Sequence, residues 1–298
     1  MAASKRRVYL IDASVYIFRA YYSVPDTLTN EAGQAINALH GFAGFLAEFL
    51  EQEKPQHVAV AFDESLTSSF RNEIYPQYKA NRESPPEELK LQFGFCRALV
   101  KSLGLAGYSS NYYEADDLIG TLAARLREQG FSVVILSTDK DLAQVLEAGD
   151  MQWDFARNRK HPYDAVHDWL GVHAGQVADW LALAGDSVDN IPGVPGIGAK
   201  TAAALLGHFD SLQDIYAQID AVADLEIRGA ARVQRLLKEH EEDALLARRL
   251  TGVETQADID SDAKDVQRRS VSAEELTEMC KQLGLGRMTQ ARLLRLLG

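Results

Sequence analysis

Nine carboxylates stand where predicted strands end or predicted helices begin, and they fall into five short clusters. Several acids packed at strand ends repel one another unless a cation neutralises them. The nine acids are Asp12, Asp63, Glu114, Asp116, Asp117, Asp139, Asp141, Asp186 and Asp189. Hard oxygen ligands suit Mg²⁺ or Mn²⁺, and two such ions about 4 Å apart can activate a water and stabilise the leaving oxygen of a phosphodiester. The spacing therefore predicts a divalent metal centre for hydrolysis.

Each cluster taken alone also has a structural explanation. Glu114, Asp116 and Asp117 open a predicted helix, where the helix dipole favours acids, and Asp139 and Asp141 could cap the helix that follows them. The coincidence of all five clusters at element ends favours the metal centre. The sequence has no cluster of Cys and His ligands, which argues against structural zinc.

The elements that must position these acids alternate along the first half of the chain. Apolar runs at residues 8–11, 57–62 and 132–136 predict strands, and helical spacing over 35–53, 87–103 and 115–129 predicts helices between them. This alternation predicts a mostly parallel sheet covered on both faces. Because ligands bind at the carboxyl ends of such strands, Asp12, Asp63 and Asp139 are expected to share one site.

Strand signals disappear from about residue 175 onward. We therefore expect an α/β domain over residues 1–174 and a helical domain over residues 175–298.

Composition is that of an ordinary globular protein, with 46% apolar and 25% charged residues in a chain of 298. The net charge of −12 argues by itself against a nucleic-acid partner, although acids that surround metal ions would account for part of it. Two isolated cysteines, Cys96 and Cys280, indicate reduced thiols in a cytosolic protein. The sequence predicts neither a signal peptide nor a membrane span.

Two segments carry groups suited to nucleic acid. Residues 69–82, SFRNEIYPQYKANR, interleave cations with tyrosines as single-strand binders do, although a solvated loop is the favoured interpretation of this segment in isolation. Residues 193–206, GVPGIGAKTAAALL, predict a hairpin followed by a helix whose free N–H groups and Lys200 can hold a phosphate. A glycine-rich turn between packed helices is the alternative, but it explains Lys200 and Thr201 less well.

Six motifs together carry a family resemblance. They are LIDASVYIFRAYYSVP at 10–25, AFDE at 61–64, YPQYKANR at 75–82, EADDLIGTLA at 114–123, STDKDLAQVL at 137–146 and GDSVDNIPGVPGIGAKTA at 185–202. On these motifs the chain resembles free-standing bacterial 5′-3′ exonucleases, which are similar to the 5′-nuclease domain of bacterial DNA polymerase I and to flap endonucleases. The resemblance spans nearly the whole chain and is weakest beyond about residue 220.

The resemblance implies a PIN-like nuclease core with a helical arch over about residues 79–103, followed by a helix-hairpin-helix motif over about 186–207. It assigns the acids to two metal groups, with Asp117 as an additional acid of the bacterial branch. The first group is Asp12, Asp63, Glu114 and Asp116, and the second is Asp139, Asp141, Asp186 and Asp189.

The same resemblance implies roles for the cations and aromatics. Lys79 and Arg82 match catalytic residues that steady the scissile phosphate, Tyr78 is expected to stack on a nucleotide, and Arg71 is expected to support a phosphate contact. The residues that match the duplex-gripping hairpin are Gly196, Gly198, Lys200 and Thr201. Members of the family often hold K⁺ at this hairpin.

The implied activity is hydrolysis of DNA near free 5′ ends, nicks and flap junctions by two Mg²⁺ ions, which Mn²⁺ can replace, during replication and repair. RNA–DNA primers as substrates, a DNA polymerase acting in trans, a monomeric state and a nucleoid-associated cytoplasmic location are further expectations. Two other classes stay open: a DNA-binding protein with an inactive nuclease site, and a PIN-type ribonuclease.

Overall fold

Six strands form one sheet within residues 6–64, 69–259 and 264–297, which are the residues that this computed structural model describes. Their order across the sheet is β3-β2-β1-β4-β5-β6. All neighbouring pairs are parallel except β5 and β6, which are antiparallel. The strands are β1 (Arg6–Asp12), β2 (Val58–Asp63), β3 (Ala106–Ser110), β4 (Phe131–Leu136), β5 (Met151–Asp154) and β6 (Arg159–Pro162). The predicted mostly parallel sheet is confirmed.

Helices connect the strands and continue to the end of the chain. They are α1 (Ala13–Ser23), α2 (Asn37–Glu53), α3 (Phe70–Ile74), α4 (Glu87–Ser102), α5 (Ala115–Glu128), α6 (Val166–Leu170), α7 (Val177–Ala184), α8 (Ala199–Leu206), α9 (Leu212–Ala217), α10 (Ala230–Glu239), α11 (Glu241–Thr251), α12 (Ala273–Gln282) and α13 (Arg287–Leu294). Among the described residues, no helix is long and apolar enough to cross a membrane.

Alternate residues of β1 show why both faces of the sheet are covered. Val8 and Leu10 belong to one apolar cluster with residues of α5, whereas Tyr9 and Ile11 belong to a second cluster with residues of α1, α2 and α4. A parallel strand buried on both faces is apolar at every position, which is why residues 8–11 form a continuous apolar run.

The sequence patterns missed β3, β5 and β6. β3 reads AGYSS at the edge of the sheet, and its residues are alternately exposed, so it has no continuous apolar run. β5 and β6 have four residues each and include charged side chains. Strands this short and polar give little periodic signal.

The helical arch predicted over residues 79–103 stays a prediction. α4 occupies residues 87–102 of this range and buries Leu89, Phe93, Cys96 and Leu99 in the cluster that covers the sheet. Residues 79–86, all of which the structure describes, contain no helix. An amphipathic pattern predicts the helix but does not identify the surface against which it packs.

The helical region shares its core with the sheet. α7, α8, α10 and α11 contribute buried residues to the same cluster as α5 and one face of the sheet. α12 and α13 instead return to the second cluster, where Leu276, Cys280 and Leu293 pack with α2 and α4. The domain boundary at 174/175 stays a prediction. α12 and α13 follow it in the sequence but pack against α4 and α2, which precede it.

Candidate active site and nucleic-acid interface

The carboxyl ends of three adjacent strands open into one cavity of about 710 Å³. Asp12 ends β1, Asp63 ends β2, and Asp139 follows β4 after a two-residue turn. The order β2-β1-β4 places these three ends side by side, as predicted from the sequence. Eight of the nine acids line this cavity: Asp12, Asp63, Glu114, Asp116, Asp139, Asp141, Asp186 and Asp189.

Asp117 is the ninth acid. It is not part of the cavity lining, and its assignment as a metal ligand stays a prediction. Its side chain is 0% exposed, and its two oxygens accept from Arg71 Nη1 at 2.8 Å and Nη2 at 2.7 Å. The backbone N–H groups of Glu114 and Glu254 donate to the same carboxylate at 3.0 and 2.9 Å. With four donors already bound, Asp117 joins α5 to the chain near Glu254 and has no lone pair directed at the cavity.

Arg71 lines the cavity, and its predicted phosphate contact stays a prediction. A guanidinium has five N–H donors, and here they reach Asp117 twice, Glu114 at 3.5 Å, and the carbonyl oxygens of Leu250 and Gly252, both at 2.8 Å. Only 3% of Arg71 is exposed. Arg71 therefore ties α3 to α5 and to the end of α11.

Tyr78 also lines the cavity, and its predicted stacking on a nucleotide stays a prediction. Its ring is 3% exposed, and its hydroxyl lies 3.0 Å from Glu114 Oε2 and 3.1 Å from Asp189 Oδ2. Tyr78 links one acid of each predicted metal group.

Two serines that the sequence did not identify hold the acids at the strand ends. Ser14 Oγ donates to Asp63 Oδ2 at 2.5 Å, and Ser137 Oγ donates to Asp12 Oδ2 at 2.8 Å. The backbone N–H of Ala115 donates to Asp63 Oδ1 at 2.9 Å. These bonds fix one oxygen of Asp12 and both oxygens of Asp63.

Repulsion among the acids is evident in their pKa values. Burial, followed by the charge of Asp63, raises the pKa of Asp12 to about 7. Burial and then Asp139 and Asp12 raise the pKa of Asp116 well above its usual range, and burial with Asp139 raises that of Asp141 to about 7. The cluster therefore favours a bound proton or a cation near neutral pH.

The second group of acids lies on two short turns. Asp139 precedes the 3₁₀ turn Lys140–Val145, and its Oδ1 accepts from the backbone N–H of Asp141 at 3.0 Å. Asp186 Oδ1 accepts from the backbone N–H of Val188 at 2.8 Å. Gln152 on β5 supports the first turn, since its Nε2 donates to the carbonyl oxygens of Ser137 and Asp139 at 3.2 and 2.5 Å. Gln152 is a further residue that sequence patterns did not reveal.

Lys79 and Arg82 reach acids of both groups. Lys79 Nζ lies 2.8 Å from Glu114 Oε1 and 3.8 Å from Asp189 Oδ2, while Arg82 Nη2 bonds to Asp189 Oδ1. Burial would lower the pKa of Lys79, but Glu114 and Asp189 outweigh burial and raise it, so the ammonium stays charged. The backbone of this segment docks on the neighbouring turn, where Lys79 N–H donates to the carbonyl of Asp189 at 3.0 Å.

The donor chemistry of the cavity fits a hard divalent cation, because the eight predicted acids and Glu83 line it and several have raised pKa values. Within the described part of the chain, however, no three acidic, His or Cys side chains converge as they do around a bound ion. Glu114 and Asp189 are instead paired with Lys79 and Arg82.

The predicted hairpin forms between α7 and α8. Gly193 has φ +61°, and a Cβ there would lie 2.2 Å from the backbone nitrogen of Gly185, so only glycine fits. Gly196, Gly198 and Lys200 are exposed and Thr201 is partly exposed, as a backbone-binding surface requires. Gly198 precedes α8 and brings no side-chain cap to its N–H groups. The contact of these residues with DNA stays a prediction.

The hairpin is continuous with the second acid group. Asp186 and Ile191 exchange two backbone hydrogen bonds, of 2.9 and 2.7 Å, at the base of the loop that leads to Gly193. The cavity and the hairpin therefore share one segment of backbone.

Two sequence models of one family match this chain. The 5′-3′ exonuclease N-terminal resolvase-like domain matches residues 7–168, and the 5′-3′ exonuclease C-terminal SAM fold matches residues 172–274.

Curated relatives include whole polymerases and a shorter nuclease. DNA polymerase I of Bacillus caldotenax is 37% identical over 285 residues, which are 94% of this chain and 32% of the polymerase. This chain thus spans about a third of the length of such relatives. A 5′-3′ exonuclease of Buchnera aphidicola subsp. Acyrthosiphon pisum is 32% identical over 259 residues, which are 87% of this chain and 90% of that protein.

Solved structures share the fold at low identity. The zinc-bound 5′-exonuclease of T5 aligns with a TM-score of 0.67 at 20% identity and covers 97% of each chain. The catalytic core of Rad2 in complex with DNA substrate aligns with a TM-score of 0.65 at 14% identity, over 98% of this chain and 92% of that one.

Proposed function

The chain belongs to the 5′-3′ exonuclease family, and from this membership we propose that it is a divalent-metal-dependent nuclease that hydrolyses DNA phosphodiesters near 5′ ends and at flap junctions. The observation that carries the proposal is the cavity at the carboxyl ends of β1, β2 and β4, whose lining includes eight of the predicted acids together with Lys79 and Arg82. Related structures that contain divalent metals or DNA support the choice of cofactor and substrate class.

The proposed metal sites use the two groups of acids around the cavity. Asp12, Asp63, Glu114 and Asp116 would hold one ion, and Asp139, Asp141, Asp186 and Asp189 the other. When bound, two Mg²⁺ or Mn²⁺ ions would supply an activated water and stabilise the leaving oxygen. The serines at positions 14 and 137 would keep Asp63 and Asp12 oriented for this role.

Lys79 and Arg82 have the geometry to respond to the substrate. In the free protein they neutralise Glu114 and Asp189. We propose that both cations move to the scissile phosphate when metal ions take over the acids, where they stabilise the charge of the transition state. This exchange would couple metal binding to substrate binding.

Substrate selection is proposed to reside in the hairpin at residues 193–198 and the start of α8. Free N–H groups with Lys200 suit the phosphate backbone of a duplex without reading its sequence. K⁺ at this hairpin, RNA–DNA primers as further substrates, a DNA polymerase acting in trans and a monomeric state complete the proposal.

Mapping the products formed from labelled 5′-flap, nicked, gapped and RNA-primed substrates tests this function. For the wild type, we expect cuts near the 5′ end or flap junction with Mg²⁺ and none with EDTA. Tight flap binding without turnover in Mg²⁺ or Mn²⁺ would instead indicate a DNA-binding protein with an inactive site. Equal cutting of unstructured RNA would indicate a ribonuclease.

A further inference from the structure

Three exposed arginines form a stripe on α10 and just before it. Arg228, Arg232 and Arg235 are exposed. Arg232 and Arg235 are three residues apart on α10 and share one side of the helix, and Arg228 lies two residues before the helix begins. The opposite side buries Val233 and Leu237. Arg232 and Arg235 are about 4.5 Å apart along the helix axis.

These arginines have no internal role in the fold. Within the described residues, none of the three makes an ion pair or a side-chain hydrogen bond. Lys238 on the same helix differs, because its Nζ lies 2.6 Å from Asp220 Oδ1. A chain of net charge −12 that keeps three unpaired cations in one stripe presents a local positive surface.

The stripe adjoins the glycine hairpin. Arg232 Nη2 lies 3.0 Å from the point where a Cβ on Gly196 would be, and Leu236 Cδ1 lies 3.2 Å from it. Because Gly196 has no side chain, the guanidinium lies directly against the exposed hairpin, which also presents Gly198 and Lys200. Residues beyond about 220, where the family resemblance is weakest, thus border the proposed backbone-binding surface.

We propose that the stripe Arg228, Arg232 and Arg235 is a second phosphate-contact surface, continuous with the hairpin, for the backbone of duplex DNA. The proposal rests on the nuclease function proposed above. Arg232 borders the hairpin, and Arg235 lies almost one helical turn further along α10. The bound duplex would therefore extend past the hairpin along α10.

The chemistry of α10 favours a duplex over other occupants. A single strand would call for aromatic side chains that stack on bases, and α10 reads AARVQRLLKE without any. A peptide partner would call for an apolar anchor, and none of the exposed large hydrophobic residues of the described chain lies on α10.

The salt dependence of DNA binding tests the stripe. Binding of a fluorescent 5′-flap substrate with full-length duplex arms is measured in EDTA by anisotropy across a series of salt concentrations. The slope of log K against log salt is negative, and each lost phosphate contact reduces its magnitude by about 0.9. We expect Arg232→Gln to reduce this magnitude by about 0.9 and the triple Gln variant by up to about 2.7.

Lys238→Gln is the matched control, because it makes the same charge change on the same helix at a residue paired with Asp220. It is expected to leave the slope unchanged. Circular dichroism and melting curves establish that each variant is folded.

An unchanged slope in the triple variant, with wild-type flap cleavage intact, would overturn the stripe and leave the nuclease function standing. A reduced slope in a protein that cuts no flap would support the stripe and overturn the nuclease function. If the triple variant instead loses binding to a poly-glutamate probe and keeps the wild-type DNA slope, the stripe serves an acidic peptide and the proposal fails.

Discussion

Replacing Arg71 with methionine is expected to destabilise the fold strongly, because the arginine is buried with all its donors bound. The change leaves Asp117 as an unpaired buried charge and removes the partners of the carbonyl groups of Leu250 and Gly252. Breaking a buried ion pair by removing one partner costs about 3 to 5 kcal/mol, and part of the carbonyl cost is included in that range. We therefore expect a loss of about 4 kcal/mol, which lowers the melting temperature by roughly 8 to 12 °C.

Urea denaturation followed by circular dichroism measures this loss. Adding Asp117→Asn to Arg71→Met should recover about 1 to 2 kcal/mol, because the amide removes the unpaired charge and keeps an acceptor for the N–H of Glu254. Arg157→Met is the control, since the side chain of Arg157 is 61% exposed in its pair with Asp154 and its loss should cost at most about 0.5 kcal/mol. Wild-type stability of Arg71→Met combined with a weaker salt dependence of DNA binding would refute the structural role and support the predicted phosphate contact.

Three further predictions concern the cavity and the hairpin. Gln152→Leu removes the donor to the carbonyls of Ser137 and Asp139, so we expect weaker Mg²⁺ binding in calorimetry with an unchanged KM for DNA; unaltered Mg²⁺ affinity would contradict this positioning role. In the metal-free protein, lowering the pH from 8 to 5.5 should raise the stability by about 2 kcal/mol for Asp12 alone. The sign is positive because the folded pKa of Asp12 is raised to about 7 from 3.8, so the folded state binds the proton more tightly as the pH falls through 7. Saturating Mg²⁺ should remove this gain in stability. If the melting temperature changes with pH in the same way with and without Mg²⁺, the result would count against a repulsive acid cluster. Gly193→Ala should destabilise the hairpin and weaken duplex binding at least tenfold, because its Cβ would clash with the backbone of Gly185. Gly198→Ala avoids such a clash, since a Cβ there meets nothing within 4 Å. Equal binding by the two variants would show that the tight approach of Gly193 to Gly185 is unimportant.

The sequence predicted the parts of the molecule that local pattern determines. Continuous apolar runs identified β1, β2 and β4, and the position of Asp12 and Asp63 at the ends of β1 and β2 placed the cavity correctly. The glycine pattern around Gly193 also predicted the hairpin, because its backbone conformation excludes other residues.

Burial of polar groups could not be predicted in the same way. Arg71 and Asp117 are 46 positions apart, and each is of a residue type usually found at the surface. Nothing local therefore reveals that they pair in the core. Tyr78 matches a stacking residue by motif, but its burial depends on Glu114 and Asp189, which come from distant parts of the chain. Ser14, Ser137 and Gln152 act through single hydrogen bonds that leave no periodic signal.

Cleavage of a labelled 5′-flap substrate by the wild type and Asp139→Asn, each with Mg²⁺ and with EDTA, tests the central claim most directly. Asp139 lines the cavity and borders the acids whose pKa values it raises. We predict Mg²⁺-dependent cutting at the flap junction by the wild type, no cutting in EDTA, and a loss of at least a hundredfold in Asp139→Asn with flap binding retained. Undiminished Mg²⁺-dependent cleavage by Asp139→Asn would contradict the assignment of these carboxylates to a metal centre.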